Sequence, residues 1–324
     1  MKAQSNILDM PLAATHTSYK ETVNSFYRTQ AGRLALMEAI IQAGGPKANE
    51  YQTVDSFIET ISKGVQNNYI SAEEVEEIKD LFASDLLHNT IHGYGLRKPM
   101  GYAGDFKIID MIYTHHMTQQ SEYKNWDRYF HYHPATSAVR NRKEFFKNEM
   151  LAKLSDRTKA LHLLNVASGP ARDLLEVYQH IEPEQLITTC VDLDDRAIDY
   201  ARQLCRNYLT QIQFIHKNIM RFTTTDHYDV IWSAGLFDYF DDKTFVLVLK
   251  RFLSWLKPGG EIILGNFSES NPSRAYMEIF GEWFLIHRSS EQLAELALQA
   301  GALRTNITVD YEPLGINLFL KIRK

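Results

Sequence analysis

From Thr158 to the C-terminus, short β-rich runs alternate with helical segments, and no other feature of the chain restricts its fold as tightly. The runs are Leu161–Ala167, Ile187–Val191, Gln213–His216, Tyr228–Trp232 and Glu261–Leu264. Helical patterns at about 170–180, 195–209 and 242–256 lie between them. Such alternation builds βαβ units and a parallel sheet covered on both faces. After a further helix at about 290–300 the order changes. Ile307–Tyr311 and Asn317–Ile322 are joined by Glu312-Pro313-Leu314-Gly315-Ile316, too short for a crossover helix, so these two strands must pair antiparallel. The expected fold is α/β, a Rossmann-like sheet of seven strands closed by a C-terminal hairpin.

The first half follows a different pattern. Between about Tyr19 and Ile91, Leu34, Met37, Ile40 and Ile41 recur at helical spacing, as do Val54, Phe57, Ile58 and Ile61. Gly44-Gly45-Pro46 stops the first of these helices. A third opens at Ser71 with Glu74 three residues on, a capping-box spacing, and carries Val75, Ile78, Leu81 and Phe82 inward. The division expected is a helical accessory domain over 1–150 and a sheet domain over 151–324. A net charge of −5 over 324 residues supplies no diffuse basic field, which disfavours nucleic acid and anionic membrane as partners. Cys190 and Cys205 form no disulfide framework and lack the CxxC spacing; Cys190 reads as a buried small apolar residue of the second strand, and Cys205 falls in the helix after it. The N-terminal segment has no run of signal-peptide length, and the apolar stretch Arg33–Ile41 is too short to span a bilayer. A cytoplasmic protein without a membrane span is expected.

In sheets of this kind ligands bind outside the carboxyl ends of the strands. The first end reads Asn165-Val166-Ala167-Ser168-Gly169-Pro170-Ala171-Arg172-Asp173. Small residues at 167, 169 and 171 let a ligand approach the backbone, and the next helix offers free N–H groups. The second strand ends at Asp192, whose carboxylate can take both hydroxyls of a ribose. Together they imply a nucleoside-bearing cofactor. Neither GxGxxG nor GxxxxGK[ST] is present, which disfavours a nicotinamide-dependent oxidoreductase.

The spacing resembles motif I of the class I S-adenosylmethionine-dependent methyltransferases, with Asn165 at the acidic position and Ala167 and Ala171 at the outer glycines. The resemblance continues in order over about 165 residues: Asp192, Asn218 in His216-Lys217-Asn218-Ile219, the run Tyr228–Leu236, Leu256-Lys257-Pro258-Gly259-Gly260, and the hairpin. It implies S-adenosylmethionine as cofactor, bound by Asn165, Ala167, Ser168, Gly169, Pro170, Asp192, Leu193, Asn218, Ile219, Ser233, Ala234 and Gly235. An Asn at 165 carries no charge for the cofactor's ammonium, and Asp105 is the candidate for the missing acid.

Asp105 ends a second unusual segment, His92–Asp105, with four glycines, one proline and two tyrosines. That composition argues against a regular helix and for either a linker or a lid laying Tyr94, Tyr102 and Asp105 over the cofactor. With Trp126 and the basic run Arg140-Asn141-Arg142-Lys143, the segment also resembles bacterial methyltransferases that make hydroxy-fatty-acid methyl esters, a hint of a carboxylic or acyl acceptor. Arg140 is the candidate cation for a carboxylate. A carboxylate acceptor needs no general base, whereas a phenol, amine or carbon acid does. Tyr102, Asp238 and His287 are the catalytic candidates. His131-Tyr132-His133 and His115-His116 have no third ligand partner, so no metal site is expected and both pairs read as surface or loop residues. The aromatic residues concentrated over 94–146 read first as packing, and alternatively as walls for an apolar acceptor. The leading expectation is methyl transfer to a small molecule. The alternatives are a nucleic-acid or protein methyltransferase, against which Ser233-Ala234-Gly235-Leu236 stands where an NPPY-type motif would be, and a binding module without turnover, motivated by Asn165.

Overall fold

A computed structural model describes residues 34–82, 89–155 and 157–324; the expected helical stretch from Tyr19 to Arg33 lies outside them. The described N-terminal helices are α1 (34–42), α2 (Tyr51–Gln66), α3 (Ala72–Phe82), α4 (Ile91–Arg97), α5 (Phe106–Tyr113), α6 (Lys124–Tyr132) and α7 (Pro134–Leu154). Met37, Ile40 and Ile41 of α1 pack with Val54, Phe57, Ile58 and Ile61 of α2 in one buried cluster. Ser71 and Glu74 exchange the two bonds of a capping box before α3, at 2.8 and 3.2 Å.

Helix α4 overturns part of the reading of the glycine-rich segment. Ile91–Arg97 is helical despite Gly93 and Gly95. Each glycine costs about 1 kcal/mol against alanine in a helix. Local and tertiary contacts offset that cost. Thr90 Oγ1 accepts the Gly93 N–H at 2.9 Å as N-cap, and a Cβ at Gly95 would lie 3.4 Å from Ile108, so α4 and α5 pack closely. Only residues 98–105 form the loop that was expected over the whole stretch.

Helix α7 joins the two parts of the molecule. Its N-terminal half places Ala135, Ala138 and Val139 in the helical core, and its C-terminal half places Phe146, Met150 and Leu154 against the sheet. The expected boundary at 150/151 therefore falls inside one continuous helix. A further tie is Asp110 of α5, which accepts from Arg172 (2.9 Å to Nη2) and from Tyr200 Oη (2.5 Å).

The sheet runs β3-β2-β1-β4-β5-β7-β6. Its strands are β1 (Leu161–Val166), β2 (Leu186–Asp192), β3 (Ile212–His216), β4 (Tyr228–Ser233), β5 (Leu256–Phe267), β6 (Ile307–Tyr311) and β7 (Asn317–Arg323). The first five are parallel, and β7 runs antiparallel to both β5 and β6. Alternate residues supply the two faces: Leu163 packs with α7 and α8 (Arg172–Tyr178), while Leu164 packs with α10 (Asp242–Trp255) and α12 (Ser290–Gln299). Cys190 lies buried in β2, and Cys205 lies buried at the end of α9 (Asp195–Leu204). A short helix, α11 (Arg274–Ile279), returns between β5 and α12 to pack on the helical part. Among the described residues no helix is long and apolar enough to cross a membrane.

Candidate active site

A cleft of about 960 Å³ opens at the carboxyl ends of β1, β2 and β4, near the upper end of ordinary ligand-site volumes. The turn after β1 forms its floor. Ala167, Gly169 and Ala171 all adopt left-handed backbone, with φ of 53°, 52° and 53°. Two alanines in that region are strained by roughly 1 kcal/mol each, so the turn keeps its shape without its outer glycines. Nothing lies within 4 Å of a Cβ built on Gly169; the space in front of it belongs to the cleft. Ala167 is fixed by its N–H bond to the Val191 carbonyl at 2.8 Å.

Asp192 ends β2 with each carboxylate oxygen accepting one backbone N–H: Oδ2 from Gly169 at 2.8 Å and Oδ1 from Asp194 at 3.0 Å. Burial raises its pKa, and those two bonds oppose the rise. Asn165 is 2% exposed, with its side-chain Nδ2 buried and without a partner among the described residues. A buried amide donor left unpaired is costly unless a ligand accepts from it. Asn218 Oδ1 accepts the Met220 N–H at 2.8 Å, and Ile219 and the exposed Leu193 complete the rim. An orphaned donor, an open position at Gly169 and a cleft-lining carboxylate at Asp192 suit a nucleoside that bears an amino-acid group, and S-adenosylmethionine fits this set.

Several expected site residues lie elsewhere. Arg140 turns away from the cleft, its guanidinium on Ser137 Oγ (2.9 Å) and His131 Nδ1 (3.1 Å). Arg142, half a turn on, reaches the cleft and donates from Nη1 to the Ala234 carbonyl at 2.8 Å. Asp105 is taken up as N-cap of α5, accepting the N–H groups of Lys107 (2.8 Å) and Ile108 (3.0 Å) and the Tyr94 hydroxyl (3.1 Å). It faces an inner cavity beside the cleft. Ser233 is wholly buried in β4, and the next two residues, Ala234 and Gly235, line the cleft. His287 sits on an extended stretch where Ile286 and Arg288 donate to the Asp238 and Phe267 carbonyls, at 2.7 and 3.0 Å. Its ring turns toward Asn271 (3.2 Å) and is absent from the cleft wall. The neighbouring Arg288 is a structural clamp, held by Asn266 Oδ1, the Phe237 and Phe240 carbonyls and Asp242. His131 and His133 are buried, at 6% and 4% exposure, which corrects their reading as surface residues.

Residues 98–105 cover the cleft. The Tyr102 hydroxyl donates to Asp194 at 2.9 Å, and Arg196 Nη2 donates to the Met100 carbonyl at 2.9 Å. Trp283 Nε1 donates to the Tyr239 hydroxyl at 2.8 Å, and that hydroxyl donates to the Ala103 carbonyl at 3.4 Å. A Cβ on Gly104 would lie 2.6 Å from the Trp283 ring at a backbone φ of 70°. Gly104→Ala must therefore push Trp283 aside and release this latch. We expect a destabilisation of about 2 kcal/mol, from backbone strain plus the displaced ring, and faster proteolysis within 98–105. Unchanged Tm and cleavage rate would remove the latch from the account.

Arg142 stands among Tyr113, Asp173 and Asp238, all four on the cleft wall. Burial pulls the guanidinium pKa down, but its anionic and phenolic neighbours outweigh that, for a net rise. Burial pushes both carboxyls up to about 6, against Arg142 and the backbone N–H groups that stabilise their ionised forms. Asp238 accepts the Phe267 N–H at 2.5 Å. A raised carboxyl pKa means that the folded state holds a proton the unfolded chain has released, so stability falls as pH rises from about 4 to about 6. Asp238→Asn keeps the acceptor for Phe267 and should flatten that part of a Tm-against-pH curve; an unaltered slope would refute this origin.

Phe106, Ile109 and Tyr113 of α5 line the cleft, in line with the alternative reading of the aromatic residues over 94–146 as walls; Trp283-Phe284-Leu285, on the extended stretch before α12, line it as well. For Arg142 a signal did exist. Ala135, Ala138, Val139 and Phe146 mark the buried stripe of α7, and residue 142 lies on that stripe while residue 140 does not.

Residues 163–260 match the family described as a methyltransferase domain. Comparison with curated proteins gives no match. Among solved structures, a "possible exported protein" of Bordetella parapertussis superimposes with TM-score 0.59 at 18% identity, over 74% of this chain and 88% of that one. A "putative O-methyltransferase" of Nostoc punctiforme gives TM-score 0.50 at 14% identity, over 97% of this chain and 100% of that one. The N-methyltransferase NodS of Bradyrhizobium japonicum, in complex with S-adenosylhomocysteine, gives 0.42 at 16% identity, over 57% and 87%. With the sheet order and the matched domain, the chain carries a class I S-adenosylmethionine-dependent methyltransferase domain and is an enzyme that uses S-adenosylmethionine as its cofactor.

Proposed function

We propose that this enzyme methylates the carboxylate of a small, largely apolar acid. One observation carries the reading: Arg142 is a cation only 6% exposed on the cleft wall, with its Nε donor buried and unpaired among the described residues. A buried guanidinium with a spare donor suits a planar carboxylate. Phe106, Ile109, Tyr113, Phe267, Trp283 and Phe284 would exclude water from the acceptor and hold it at attack distance. S-adenosylmethionine, when bound, would supply a methyl group on a sulfonium; the acceptor oxygen would bond to that carbon as the C–S bond breaks, its electron pair staying on the sulfur of S-adenosylhomocysteine. No proton has to move, so Asp238 and Tyr102 orient and enclose. The cofactor would rest on Asn165, Ala167, Ser168, Gly169 and Pro170, with its ribose on Asp192 and its adenine between Leu193, Asn218 and Ile219. The resemblance of the segment at 92–105 to methyl-ester-forming enzymes supports an acyl acid among the acceptors. Against a polyanionic acceptor stand Asp192, Asp194, Asp195 and Glu282 along the cleft.

The test supplies radiolabelled S-adenosylmethionine with panels of medium-chain fatty acids, aromatic acids, phenols and amines. Carboxylate transfer gives label that mild base releases as volatile methanol. Base-stable label on phenols or amines alone would overturn the assignment.

A further inference from the structure

S-adenosylmethionine ends in an amino-acid group, an ammonium and a carboxylate on one carbon. Taken out of water, each needs a partner of the opposite kind. Asn165 brings no charge to this end of the cleft, and the buried atom it leaves unpaired, Nδ2, is a donor suited to the carboxylate. Asp105 does not supply the acid, because it is taken up as the N-cap of α5. The ammonium requires another acceptor beside Asn165.

The pleat of β1 restricts which groups can stand there. Leu161 and Leu163 pack in the cluster beneath α7 and α8, so Asn165, in step with them, points to the same face. Its neighbours across the sheet, Cys190 of β2 and Trp232 of β4, belong to that cluster too. Asp173, in the first turn of α8, stands over this face and lines the cleft together with Asn165. It is 7% exposed. Its Oδ1 accepts the Leu174 N–H at 2.8 Å, a local bond that leaves Oδ2 uncommitted among the described residues. Arg142 favours the ionised carboxyl through space, but its Nη1 is bonded to the Ala234 carbonyl, and among the described residues no cation is in ion-pair contact with Asp173. The other titratable groups facing Asp173 are Tyr113 of α5, Cys190 of β2, Cys205 after α9 and Glu176 on its own helix. Burial raises the phenol and both thiols, so these three are neutral at pH 6. A buried carboxylate without a contacting cation, next to an unpaired amide donor, is half of a site for a zwitterion.

We infer that Asp173 supplies the acid that position 165 lacks and receives the cofactor's ammonium, while Asn165 Nδ2 donates to the carboxylate beside it. The two side chains flank the turn after β1, and the amino-acid group lies between them. The inference depends on the cofactor and not on which acceptor is methylated, and it leaves Arg142 to the acceptor. Asp173 binds and takes no part in bond making.

The test pairs a change in the protein with a change in the ligand. Calorimetry of the full chain compares S-adenosylhomocysteine with its deaminated analogue, which keeps nucleoside, thioether and carboxylate and has hydrogen in place of the amino group. The wild type should prefer S-adenosylhomocysteine at least about 30-fold, the usual strength of a charge-assisted bond to a buried group. Asp173→Asn, which keeps an acceptor for the Leu174 N–H, should bring the two ligands within about threefold of each other and leave the deaminated ligand's affinity nearly unchanged. Equal weakening of both ligands means that Asp173 only shapes the turn, and overturns the inference. So does a wild-type preference below about threefold. Should the variant not fold, proton release by the wild type decides. Burial pushes the Asp173 carboxyl up to about 6, so at pH 6 it is about half protonated. An arriving ammonium displaces that proton, and S-adenosylhomocysteine should release about half a proton more than the deaminated ligand. Asp238, raised to about 6 as well, is the competing source, and Asp238→Asn should keep the excess. Equal release by the two ligands, or an excess lost in Asp238→Asn, overturns the assignment. Failure here with S-adenosylhomocysteine still bound leaves the methyl-transfer reading standing.

Discussion

Asp192→Ala should weaken S-adenosylhomocysteine binding about 100-fold. Two charge-assisted bonds from ribose hydroxyls, at roughly 1.5 kcal/mol each, give about 3 kcal/mol. The same carboxylate orders the Gly169 and Asp194 amides, at 2.8 and 3.0 Å, so its loss also loosens the turn after β1. Asp192→Asn separates the two effects. It retains an acceptor for one amide but meets the other with a donor, so it should fall between wild type and alanine. Calorimetric titration reads both variants. An affinity for Asp192→Ala within threefold of wild type would remove the ribose assignment.

Arg142→Met should affect both turnover and stability. Methyl transfer to a carboxylate acceptor should lose about 100-fold in kcat/KM, carried mainly by KM, since a seat for the anion is removed and the chemical step keeps its geometry. Arg142→Lys keeps the charge without the forked donors and should recover part of the loss. Folding should also suffer, by about 3 kcal/mol, because Asp173 and Asp238 lose the cation nearest them. That penalty has a direction in pH. Arg142 stabilises the ionised carboxyls, which dominate above their pKa of about 6, so the variant's deficit should be small at pH 5 and grow through pH 6 to 7. Thermal unfolding at both ends of that range checks the sign. A deficit independent of pH would show that packing of the side chain, and not its charge, is what the fold needs.

The sheet was legible because its signals are local. The first β-rich run ends at a Gly-Pro turn and the second at Asp192, and a connection of five residues between the last two runs forces the antiparallel pairing seen between β6 and β7. The cleft floor was legible for the same reason. The order of small residues after β1 and the carboxylate after β2 follows from what a backbone-hugging ligand needs. What the sequence hid depends on contacts across the chain. Gly93 and Gly95 read as helix breakers, yet close packing of α4 on Ile108 makes a helix of them. Asp105 looked free to serve a ligand, and instead caps the helix that begins one residue later. Arg140 and Arg142 are indistinguishable as members of a basic run; the phase of α7 separates them, and that phase was not read. His287 lies two residues past Leu285, the last cleft residue of its segment, and its ring is drawn to Asn271. His92 and His133, forty-one residues apart, become neighbours of one cavity only through the packing of α4, α6 and α11.

The central claim is that a cleft with Asn165 in place of an acid still binds the cofactor. It rests on the unpaired Asn165 Nδ2, the open position at Gly169 and the ordered Asp192 carboxylate. Calorimetric titration of the full chain with S-adenosylmethionine and, in parallel, S-adenosylhomocysteine tests it most directly. The account predicts saturable one-to-one binding of both, with affinities on the order of micromolar, about −8 kcal/mol. No binding of either by a protein that unfolds cooperatively would contradict it, and would mean that the uncharged residue at 165 has cost the cleft its ligand.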